Sequence, residues 1–153
     1  MFDVFAFIER SAPSIWMRED EHAYFIALIF HAFGMALLVG AGIAICLRLL
    51  GAAPNAELAR FRGFYPVMVA GTVLAVVSGF MLLAAYPAKA LTNPLFAVKF
   101  ACLLGAALLL RRAMRREPAP RTRRIAALAL VLWFAGVAAG KLLLHTAKIL
   151  TVT

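Results

Sequence analysis

Acidic side chains are scarce in this chain, seven against sixteen lysines and arginines, and charged residues of all kinds fill only 15% of its 153 positions. From Ala23 onward the only acids are Glu57 and Glu117. No carboxylate pair therefore stands inside an apolar run, and hydrolytic acid–base chemistry has no residues to work with. The two cysteines, Cys46 and Cys102, lie in apolar runs and not in a Cys-x-x-Cys pair, which excludes a disulfide framework and a zinc-finger set. Also missing are a Walker loop, a GxGxxG after a strand and a His-Glu-x-x-His helix. The first ten residues carry Asp3 and Glu9 without a basic segment before a short apolar core, so the Met1 end reads as retained and not as a secretory signal.

Apolar residues are what the chain has in excess. They make up 65% of it, against roughly 45–50% in soluble domains, and the mean hydropathy is +0.92. A soluble globular domain and intrinsic disorder are both excluded, leaving one membrane domain over residues 1–153. The net charge of +9 would suit nucleic acid, but the positive residues sit in short stretches between apolar runs, where they set topology instead.

A bilayer core about 30 Å thick needs roughly 20 apolar residues of helix, because unsatisfied peptide groups in lipid are costly. Residues 23–46, 65–86, 95–110 and 125–147 qualify. The third is shortest, and Lys99 and Arg111 extend it by snorkelling. Glu19, Asp20 and Glu21 place negative charge at the start of the first span, Gly51 and Pro54 stop it, and Asn93-Pro94 opens the third. Residues 1–18 hold Phe2, Phe5, Phe7, Ile8, Ile15 and Trp16 interrupted by Pro13, which suits a segment lying along the interface or a leader packed on the bundle. The expected fold is all-α: an integral membrane four-helix bundle with a short N-terminal interfacial helix.

Loops 48–62 and 111–124 together hold ten arginines, whereas the other side carries Arg10, Arg18, Lys89 and Lys148, with Lys99 and Lys141 just inside the membrane. The positive-inside rule then puts both termini outside a bacterial-type inner membrane. The arginines of the third loop could hold anionic lipid, although topology alone accounts for their charge. Small residues supply seams for close helix approach: Gly34 and Gly42 beside Leu38 and His31, then Gly71, Ala75 and Gly79, and the GxxxG of Gly136 and Gly140. One of these seams could join two subunits.

Ionisable groups at membrane depth are where function is first sought. His31, Lys99, Lys141 and His145 all fall in the same half of the spans, with no acid of the helices available to either lysine. A lysine there must reach the interface, release its proton or meet an anion such as a haem propionate, a lipid phosphate or a quinone oxygen. Lys141, His145 and Lys148 share one helical face. His31 lies about 12 Å inside the boundary, among Phe30, Phe33 and Met35, with His22 and His145 some 8–10 Å nearer the surface. A neutral imidazole can ligate haem iron, and Met35 offers a soft sulfur for copper. A histidine bonded to a neighbouring backbone carbonyl is the plainer reading of His31. The depths favour pairing of His22 with His145, or of His31 with its mate in a homodimer, over a bis-histidine haem within one chain.

The segments His31-Ala-Phe-Gly34-Met-Ala-Leu-Leu-Val-Gly40, Leu47-Arg48-Leu49-Leu50-Gly51, Ser78-Gly79 to Pro87, Asn93-Pro94-Leu-Phe96-Ala-Val-Lys99 and Gly140-Lys141 carry a resemblance across most of the chain. Their order and spacing resemble a bacterial family of small four-span membrane proteins, distantly like copper-resistance D-type membrane domains. The resemblance implies an integral inner-membrane protein and no particular activity. The chain departs from that pattern at Leu28, where an acid often precedes the histidine by three, and in lacking a histidine near the cytoplasmic end of the third span.

Three functions are expected from these residues. The first is a haem b- or quinone-associated electron-transfer subunit using His31, His145 and His22, with Lys99 and Lys141 contacting propionates or quinone. The second is copper handling by His31, Met35, Met17, His22 and His145. The third is a non-catalytic accessory subunit joined to a larger membrane complex through its GxxxG seam.

Overall fold

The computed structural model describes residues 7–115 and 119–149, with only the backbone at position 89 and over 144–149. Its elements are α1 (Ala12–Glu19), α2 (Glu21–Leu50), a 3-10 turn (Leu58–Gly63), α3 (Phe64–Ala85), α4 (Pro87–Leu91), α5 (Pro94–Met114) and α6 (Pro120–Ile149). No strand occurs among the described residues. Segments Glu21–Leu50, Leu58–Ala85, Pro94–Met114 and Pro120–Leu143 are long and apolar enough to cross a bilayer. The chain is an all-α, multi-pass membrane bundle.

Helix ends follow local chemistry. Asp20 caps α2, its carboxylate accepting from the backbone N–H groups of His22 at 3.0 Å and Ala23 at 3.1 Å. Gly51 ends α2 at φ 104°, where its N–H reaches the carbonyl of Arg48 at 3.1 Å and that of Ala52 reaches Leu47 at 3.0 Å. This is a Schellman ending, and the left-handed residue it requires is the glycine. Asn93 caps α5 by accepting from Leu95 N–H at 3.0 Å, with Pro94 in the first turn. Spans α2, α5 and α6 overrun their apolar stretches into arginine, since long side chains carry their heads to water while the backbone stays paired. Span α3 stops at Ala85, one residue early, because Tyr86 precedes a proline and adopts φ −140°.

The N-terminal segment is broken at Arg10 and Ser11, between helical backbone at 7–9 and α1, and Pro13 stands just after the break. That proline occupies the first turn of α1, where a missing N–H costs nothing. Helix α1 packs on α2 and α3 through buried Ser14 and Met17 while Ile15 and Trp16 stay exposed, and Arg18 donates to the Ala85 carbonyl at 3.3 Å.

Helix α2 is the hub. It packs along its length on α3, and on its other side on α6 and more lightly on α5, whereas α5 and α6 form their own hairpin. Helices α3 and α5 make no substantial contact with each other. Fewer than a third of the positions in each span are buried by the rest of the chain, which leaves the remainder to lipid.

The glycine seams are all internal. A Cβ on Gly34 would lie 2.5 Å from the backbone nitrogen of Ala75, one on Gly42 would meet the Trp133 indole at 2.6 Å, and one on Gly136 would meet Leu103 at 2.8 Å. Within the chain, close approach here closes α2 on α3, α2 on α6, and α5 on α6. The GxxxG of α6 faces α5 of the same chain, with Gly136 against Leu103 and Gly140 against the Lys99 stem.

Two apolar clusters result. A large one toward the arginine-rich end gathers Val39, Ile45, Leu49, Met68, Leu110 and Trp133, among others. A small one at the opposite end holds Met17, Ala23, Ala27 and Ala85. The layer between them holds His31, Ser78 and Lys99.

Candidate functional site

His31 sits in that layer, three residues before Gly34, where α2 and α3 run in backbone contact. Its Nδ1 lies 2.9 Å from the carbonyl oxygen of Ala75. A carbonyl can only accept, so Nδ1 carries the proton. Ser78 is buried beside it, its hydroxyl donating to the Leu74 carbonyl at 2.6 Å and turning its oxygen to the same imidazole N–H at 3.3 Å. With Nδ1 held in this way, Nε2 points toward α5, where Lys99 Nζ lies 3.3 Å away. Nε2 is left as the acceptor and Lys99 as the donor.

Two glycines make room for the couple. A Cβ on Gly79 would stand 3.2 Å from the imidazole Cε1, and one on Gly140 would stand 3.4 Å from both Cδ and Cε of Lys99. All four spans thus contribute: imidazole from α2, carbonyl and hydroxyl from α3, amine from α5, and the gap that admits its stem from α6. His31 and Lys99 are each half-buried, and His31 is the one hydrogen-bond partner of Lys99 among the described residues.

The other predicted site residues whose side chains are described do not join them. His22 is exposed near the start of α2, 3.8 Å from the Asp20 carboxylate, and nine residues of helix place it about 13 Å along the axis from His31. Lys141 is exposed. The side chains of His145 and Lys148 lie outside the described residues, and with them the pairing of His22 with His145. Met35 packs against the large cluster and Met17 belongs to the small one, so the two sulfurs named for copper are held apart. Among the described residues no three His, Cys, Asp or Glu side chains gather into a metal-binding group.

Haem fits this layer on one side only. A ligating histidine commonly gives its other ring N–H to a carbonyl, as His31 does, but Nε2 is capped by Lys99 and no second imidazole stands at that depth among the described residues. Six-coordinate haem within one chain does not fit the described residues. No known family, curated protein or solved structure matches the chain.

The sequence reading found His31 and Lys99 separately and missed that they touch. It also passed over Ser78 as chemistry. A hydroxyl set directly before Gly79 in a stripe of small residues was the available signal, since little else explains a polar group in a seam built for backbone contact.

Proposed function

We propose that the protein is a small membrane subunit that holds the carbonyl end of a quinone at the His31–Lys99 couple. The observation that carries this reading is the 3.3 Å contact between Lys99 Nζ and a His31 ring whose other nitrogen is fixed on Ala75. One of the three N–H donors of a lysine ammonium is used by that contact, and the others are available to a quinone oxygen. Because α3 and α5 make no substantial contact with each other, the couple is approached between them from the lipid, where a quinone dissolves. Phe96 and Phe100, three residues before and one after Lys99, pack on each other with ring centroids 4.9 Å apart and offer an apolar wall. The couple would hold one quinone oxygen; two-electron reduction there by a redox partner in a larger membrane complex would take one proton from the Lys99 ammonium at that oxygen and the second from water at the other carbonyl, with water also reprotonating Lys99.

Protein extracted in mild detergent and analysed for bound lipid-soluble quinone tests this. We expect about one quinone per chain, falling about tenfold in Lys99→Met and in His31→Leu, the loss of one hydrogen bond to a charged donor. A wild-type protein that retains none and takes up no added short-chain quinone would overturn the reading. The carbonyl-anchored Nδ1 of His31 also favours a second reading, haem b shared between the His31 residues of two copies. A Soret band in the same preparation supports that reading instead.

The couple belongs to the outer half of an inner membrane in this proposal, with both termini outside, because the ten arginines of loops 48–62 and 111–124 gather at the other end. Alkaline phosphatase fused within residues 86–93 is expected to be active, and within 111–124 inactive. The reverse result would invert the orientation.

A further inference from the structure

We infer that Arg62, Arg111 and Arg115 form a binding site for the phosphate of an anionic phospholipid headgroup, independently of the quinone reading. These three side chains, with Tyr65 and Met114, line an open cavity of about 620 Å³ where the 3-10 turn and the start of α3 meet the end of α5. None of the three guanidiniums has a hydrogen bond or ion pair among the described residues. Among the described residues, the acid of the adjoining loop, Glu57, is 3.7 Å from Arg60 instead. Three like charges around one cavity repel each other until an anion enters, and the planar guanidinium fork matches phosphate oxygens two at a time.

Two features favour a lipid phosphate over a free one. The cavity lies at the ends of spanning helices, at the depth of headgroups, and buried Met114 and half-buried Tyr65 give it a partly apolar lining. Every basic residue of loops 48–62 and 111–124 is moreover an arginine, and none is a lysine. Topology needs only positive charge and is indifferent between the two, whereas bidentate phosphate recognition is not.

Native mass spectrometry of the intact protein, offered phosphatidylglycerol, phosphatidylcholine or inorganic phosphate, tests the site. Phosphatidylglycerol should be retained and phosphatidylcholine lost. Replacing Arg62, Arg111 and Arg115 together by alanine should weaken retention about tenfold or more, and replacing them by lysine should weaken it several-fold with charge and topology preserved. Removing equal charge at Arg121, Arg123 and Arg124 should leave retention unchanged. Equal losses from the two alanine triples, full retention in the lysine triple, or binding of inorganic phosphate without phosphatidylglycerol would each overturn the inference.

Discussion

Gly34→Val is expected to unseat α3 from α2 and to lower stability by about 3 kcal/mol or more, the upper range for forcing bulk into a packed interior. The added Cβ alone would sit 2.5 Å from the Ala75 nitrogen and 2.9 Å from the Gly71 carbonyl oxygen. Both are backbone atoms of a helix, so no rotamer change relieves the clash and the helices themselves must part. In lipid the consequence is larger than the local overlap suggests. No hydrophobic drive between helices compensates for lost contact, and beyond the short helices and turn at its ends α3 packs chiefly on α2. The His31–Ala75 bond is lost with the seam. Unfolding in mixed detergent measures the change, and Gly40→Val is the control, since a Cβ at Gly40 meets nothing within 4 Å. Equal stability of the two variants would show that backbone contact at Gly34 does not hold the bundle.

Spans, caps and seams were readable in the sequence because each rests on short-range rules. Twenty apolar residues must be helix in lipid, Asp20 and Asn93 precede helices as capping residues do, and Gly51 follows one. The seams were readable as seams, but not their partners: that Gly136 meets Leu103 depends on which way α6 turns against α5. The same limit explains the site. His31 and Lys99 are 68 residues apart, and axial rise places each at a depth without saying on which side of its helix the other spans lie. His31 bonded to a backbone carbonyl was foreseen; that the carbonyl would be Ala75, and that this would aim Nε2 at a lysine, required the packing of three helices at once. Lys141 looked equivalent to Lys99 by composition and depth, yet it is exposed while the adjacent Gly140 faces the Lys99 stem.

Removing His31 is expected to destabilise the bundle more than removing its partner, and removing both to cost less than removing His31 alone. In His31→Leu the N–H donors of Lys99 lose their one acceptor among the described residues while the ammonium stays within the bundle. Stranding a fully buried charge costs about 3–5 kcal/mol, and the half-buried Lys99 falls toward the lower end of that range. In Lys99→Met the stem still packs beside Gly140 and the imidazole keeps its bond to Ala75, so only one neutral acceptor is left unmet, at about 1–2 kcal/mol. The double variant has neither a stranded donor nor an unmet acceptor, and two apolar side chains of similar volume meet across α2 and α5. The cycle should therefore show the two sites coupled by about 1–3 kcal/mol, the range for residues in one hydrogen-bonded network. Unfolding of the four proteins in one detergent yields the coupling without reference to any ligand. Additive effects, within about 0.5 kcal/mol, would mean that Lys99 does not spend its time on His31, and the quinone proposal would lose the couple on which it stands.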